Sequence, residues 1–145
     1  MNAWFYKFVL FFILLIASLI LSLQDLKQMA VRTYILWAGL LAALGCHLIF
    51  AREAMWIYIF SCMLLGAFYF AVRIITRGKL GMADVWFGFF QGLFLVPKMI
   101  PVCLGIESLA ALCVIKRVGK EKFPFIPFMT AGLISAFIIQ ILVVK

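Results

Sequence analysis

The stretch WFYKFVLFFILLIASLILSL, residues 4–23, decides the fold: apart from Lys7 near its start it carries no charge, and nearly every position is apolar or aromatic. At about 1.5 Å per residue, a helix of that length reaches about 30 Å, the thickness of a bilayer's hydrocarbon core. The run is longer than the core of a secretory signal peptide, and no small-x-small cleavage pattern follows it. It is therefore expected to remain as a membrane helix, with Asp25 in the polar cluster just beyond.

The rest of the chain has the same character. Of 145 residues, 68% are hydrophobic and 12% charged, and the mean hydropathy is +1.24, values that exclude an ordinary soluble domain. Further apolar runs cover residues 34–50, 54–72, 80–96, 100–115 and 125–144. The fold class that follows is all-α, a polytopic membrane protein of about six transmembrane helices, with residues 1–145 forming a single integral-membrane domain. Connections are short and carry most of the charge, as in Arg77-Gly78-Lys79 and around Lys98 between Pro97 and Pro101, so neighbouring helices must run antiparallel. Gly39, Gly45 and Gly66 are expected to let helices approach closely.

A net charge of +8 could suggest nucleic acid, but the basic residues are scattered between apolar runs rather than gathered in a stripe. No nucleic-acid partner is expected; the lipid bilayer is. Assigned to alternate sides, nine of the thirteen basic residues fall on one face (Lys27, Arg32, Arg73, Arg77, Lys79, Lys116, Arg117, Lys120 and Lys122) and four on the other. Basic loops stay in the cytoplasm, which predicts a multi-pass protein of the cell's inner membrane with both termini outside. Cys46, Cys62, Cys103 and Cys113 show neither metal-ligand nor redox spacing and read as buried apolar residues. His47 reads as an interface residue.

The acidic residues are the informative ones. Glu53 and Glu121 sit in loops beside basic residues, where solvated pairing explains them. Glu107 falls within the fifth apolar run, where a hydrogen bond across the bundle, to Gln91 or Gln140, is expected. Asp25 and Asp84, the only aspartates, follow the first helix and open the fourth, hence at the same face. Each has a structural reading as a helix cap and a functional one as a carboxylate held near the membrane.

Gly81-Met82-Ala83-Asp84 resembles the Gly-x-Gly-Asp motif of membrane-embedded aspartyl proteases, a group that includes presenilin, signal peptide peptidase and the type IV prepilin peptidases. Asp25, in Ser22-Leu23-Gln24-Asp25-Leu26-Lys27, resembles the other catalytic aspartate of the prepilin peptidases, which precedes Lys or Arg by two positions. Lys122-Phe123-Pro124-Phe125-Ile126-Pro127-Phe128 is similar to the Pro-Phe segment that opens that family's last helix. The three segments occur in family order over nearly all of the chain. Two departures stand out: Ala30-Val31-Arg32 replaces the family's Ile-Pro-Asn, and Ala83 replaces the second motif glycine. If the turn required left-handed angles, alanine there would cost about 1–2 kcal/mol; if that position only starts the fourth helix, alanine favours it.

The resemblance implies a catalytic pair, Asp25 and Asp84, with Gly81, Met82, Ala83, Lys27, Lys122, Pro124 and Pro127 as supporting residues. It implies a hydrolase needing no metal and no organic cofactor, acting on a pilin-like precursor with a basic leader and a hydrophobic helix. Family members that also methylate the new amino terminus carry a cytoplasmic domain not found in these residues, so peptidase activity without methyl transfer is expected. Two other classes stay open: a non-catalytic assembly factor of the same fold, and a small proton-coupled transporter subunit using Asp25, Asp84 and Glu107 as carriers.

Overall fold

The computed structural model describes residues 3–28, 30–118 and 123–143, with side chains for 4–28, 30–114 and 123–143. Lys122 lies outside the described residues. Among the described residues six α-helices follow in order: α1 Ala3–Gln28, α2 Thr33–Phe50, α3 Met55–Ile75, α4 Met82–Gly92, α5 Ile100–Val118 and α6 Ile126–Val143, with a 3₁₀ turn, Pro97–Met99, before α5. Among the described residues five helices, all but α4, are long and apolar enough to cross a membrane. The chain is an all-α membrane protein, as its sequence predicts.

Side-chain periodicity in α1 separates two faces. Leu10, Leu14, Ala17 and Leu21 are buried, whereas Phe5, Phe8, Phe12, Ile16, Leu19 and Leu23 are exposed at the same three- and four-residue spacing. Both stripes are apolar, the pattern of a helix packed on protein on one side and bathed in lipid on the other. α1 packs between α2 and α6, α5 against α6, and α3 against α4, while α4 also reaches α2 and α6. A buried aromatic cluster of Phe87, Phe90 and Phe94, with Phe137 from α6, fills the centre.

Glycines make the α3–α4 contact close. A side chain at Gly92 would overlap the backbone of Ser61 and Cys62, and one at Gly66 would overlap the Phe89 ring. Gly39 is likewise confined, against Phe90 and Ala17, but Gly45 faces open space and plays no part in helix approach. The cysteines are unpaired; Cys46 and Cys103 are buried, Cys62 is half-buried, and Cys113 is exposed rather than buried.

The helix boundaries differ from the apolar runs in two places that matter. α1 continues to Gln28 and so contains Asp25. α4 stops at Gly92, spans about 16 Å and cannot cross the bilayer alone. Beyond it, Leu93, Phe94 and Leu95 are fully buried in non-helical backbone. Pro97 favours the extended conformation observed at Val96, and long-range side chains satisfy the freed backbone groups. The His47 Nε2–H donates to the Leu93 carbonyl at 2.6 Å. Gln140 donates to the Phe94 carbonyl at 3.1 Å and accepts from the Val96 N–H at 2.8 Å. In a lipid-embedded interior each such group left unpaired would cost several kcal/mol, about the scale for burying a polar group without a partner.

Candidate active site

Asp25 is buried, with 8% of its surface exposed, and its Oδ2 accepts the Ile126 N–H at 3.1 Å. Ile126 is the first residue of α6, so Asp25 caps a helix distant in sequence. Below it α1 and α6 are joined by a hydroxyl–hydroxyl bond between Ser22 and Thr130 at 2.7 Å. The approach to α6 is shaped by Phe123, whose ring stacks on Phe128 with centroids 4.9 Å apart. Pro127 sits second in α6, where its missing N–H has no helical partner to lose.

Asp84 is the third residue of α4. Its Oδ2 accepts the Gly81 N–H at 3.0 Å, closing the first turn of its own helix. Gly81 has φ −64° and ψ 150°, an ordinary extended conformation, and Ala83 lies inside the helix. Among the described residues positive φ occurs only at Arg77 and Gly78, before the motif. The cost considered for Ala83 therefore does not arise. The loop is held by the Arg73 guanidinium, which donates to the Leu80 carbonyl.

Both carboxylates line one cleft of about 950 Å³, open at the end of the bundle, together with Lys27, Lys79, Gly81, Ala83 and Phe125. Only Oδ2 of each carboxylate is engaged; among the described residues neither Oδ1 has a partner. Burial, then the charge of Asp25, pushes the Asp84 carboxyl up to about 6, against the opposing pull of the Gly81 N–H and Arg73. Asp84 thus senses the charge of Asp25. Each also lies at a helix N-terminus, α6 for Asp25 and α4 for Asp84, where the helix dipole favours negative charge.

The residues singled out in the sequence are partly brought together. Asp25, Asp84, Gly81, Ala83 and Lys27 line the cleft; Met82 is 41% exposed and lies outside its lining, and Pro124 and Pro127 shape the approach to α6 without lining it. Arg73 had entered the sequence reading only as a topological charge, and Tyr69 not at all. The recurrence of Asp84, Gly88 and Gln91 at i, i+4 and i+7 is the signal that points towards Tyr69, because a small residue in a polar stripe marks where another side chain seats. Comparison of the chain with models of known families, with characterised proteins and with solved structures gave no match.

Proposed function

We propose that the chain is an intramembrane aspartyl endopeptidase that removes the leader of pilin-like precursors at the cytoplasmic face of the membrane. The observation that carries this reading is the pair of carboxylates in a single cleft, each fixed through one oxygen to a helix N-terminus, the other oxygen having no partner among the described residues. Two like charges in one site do not ionise together cheaply, so one carboxyl keeps a proton. The ionised member takes a proton from water as that water attacks the scissile carbonyl. The protonated member polarises the carbonyl, and a proton then passes to the leaving amine.

The cleft opens where Lys27 and Lys79 sit, the end with the larger share of basic residues, which supports a cytoplasmic catalytic face and outward termini. A precursor whose apolar helix lay beside the bundle would place its leader junction at that level. No metal or organic cofactor has a part in this chemistry.

The test is co-expression with a pilin-like precursor and detection of leader removal. Processing by the native chain, lost in Asp25→Asn and Asp84→Asn at normal membrane accumulation, supports the proposal. Unchanged processing in either variant would falsify it.

A further inference from the structure

Asp84, Gly88 and Gln91 lie on one face of α4, and the two beneath Asp84 lead into a buried polar cluster. Gly88 has no side chain because the Tyr69 ring of α3 occupies that space; a Cβ there would overlap it. The Tyr69 hydroxyl donates to Glu107 Oε2. Gln91 Nε2 donates to Glu107 Oε1 at 2.5 Å and to the Met129 carbonyl of α6 at 2.9 Å, and the Cys103 thiol donates to Glu107 Oε1 at 2.9 Å.

Glu107 is 1% exposed and seats against Gly132 of α6, where a side chain would overlap both Glu107 and the Cys103 carbonyl. One carboxylate therefore receives donors from α3, α4 and α5 while resting on α6. Two of its three donors also link α4 to its neighbours: the Tyr69 ring of α3 seats against Gly88 of α4, and Gln91 of α4 donates to the Met129 carbonyl of α6. Those contacts matter at the cleft: α4 carries Asp84, and α6 supplies the N–H that holds Asp25. A slide or rotation of α4 on α6 changes the approach of the two aspartates directly.

We propose that Glu107 is a positioning residue: by gathering Tyr69 and Gln91 it sets the register of α4 on α6, and through it the approach of Asp84 to Asp25. Its catalytic consequence rests on the peptidase reading; its geometric content does not. Gln91 Oε1 is the one buried side-chain nitrogen or oxygen without a partner among the described residues. The Gln91 amide is thus oriented through its nitrogen alone, by Glu107, the Met129 carbonyl and a longer contact to the Cys103 sulfur at 3.8 Å, and removing the Glu107 acceptor takes away the shortest of these.

The experiment measures the approach itself. In the full chain with Cys62 and Cys113 replaced by alanine, Asp25→Cys and Asp84→Cys are combined, and the rate of cross-linking by a short bifunctional thiol reagent is followed in membranes, with each single variant as control. Glu107→Ala is expected to slow cross-linking at least fivefold. Tyr69→Phe, which keeps the ring against Gly88, is expected to slow it two- to threefold. Glu107→Gln, which keeps an acceptor for Gln91 and Cys103 while the Tyr69 hydroxyl turns to accept, is expected to restore at least half the rate. Unchanged cross-linking in Glu107→Ala, or in Tyr69→Phe should the alanine variant fail to accumulate, overturns the proposal, as does a glutamine variant no better than alanine. In parallel, with both aspartates intact, Glu107→Ala should lower kcat for precursor processing and leave KM within twofold. Cross-linking that responds as expected in a chain that processes no precursor upholds the positioning role and rejects the peptidase reading.

Discussion

Replacing Ala83 with glycine restores the motif of the resembling proteases, and the structure assigns that change a sign. Ala83 is the second residue of α4, in helical conformation, and packs against the core while partly exposed. Glycine in a helix is less stable than alanine by about 0.5–1 kcal/mol because more backbone freedom is lost on folding. For a chain of this size about 1 kcal/mol moves the unfolding midpoint by about 2–4 °C. Ala83→Gly is thus expected to lower the midpoint of the detergent-solubilised protein by about 1–4 °C, with processing no faster than in the native chain. Thermal unfolding followed by tryptophan fluorescence, beside a processing time course, makes the measurement. Were the motif to need a left-handed residue here, the same substitution would relieve about 1–2 kcal/mol of strain, raising the midpoint and the rate together. A rise in both refutes the helical assignment of residue 83 and the argument built on it.

Asparagine and alanine should separate capping from chemistry at the two aspartates. Asp25→Asn and Asp84→Asn keep an oxygen for the Ile126 and Gly81 N–H groups and should hold the native unfolding midpoint, whereas the alanine variants lose a cap worth about 1 kcal/mol; all four should lose processing. Asp84 is protonated below about 6, and the mechanism requires one protonated carboxyl, so initial rates should decline as pH rises through about 6. In the same window stability should fall with rising pH, since the folded chain binds a proton there that the unfolded chain has released. Gln140→Leu leaves the Val96 N–H and Phe94 carbonyl without their partner and should destabilise the protein by about 1–3 kcal/mol, read as a lower unfolding midpoint, with the processing rate of the remaining folded protein retained.

How far the sequence could be read depends on the distance over which each feature is determined. The membrane class was legible because a helix needs only its own residues to satisfy its backbone, and residues 4–23 contain little else but apolar side chains. The end of α4 was not legible, because the apolar run continues through Leu93-Phe94-Leu95-Val96 while the backbone leaves the helix. Its carbonyls are satisfied by His47 and Gln140, each 46 residues away from its partner. His47 and Gln140 read locally as isolated polar residues, and only the packing of α2 and α6 around α4 gives them a task. Likewise, Glu107 was expected to find Gln91 or Gln140, and geometry selects Gln91 because Gln140 is occupied by the Phe94 carbonyl and the Val96 N–H just beyond the end of α4. The shared face of Asp25 and Asp84 followed from counting helices; that Asp25 caps α6, 101 residues on, did not.

That cap changes how the two readings of the aspartates relate. Capping and catalysis are alternatives only if each uses the whole carboxylate, and here the backbone bond takes one oxygen of each pair. The bond fixes the orientation of the group and engages only one oxygen, so the structural role is compatible with the proposed chemical one. It also shapes the charge balance. Two helix N-termini favour ionised carboxylates, whereas burial and mutual repulsion favour a proton on one of them, and for Asp84 burial and the charge of Asp25 prevail. A site with one proton between two oriented carboxyls follows from these opposing fields, with no special backbone conformation in the motif itself.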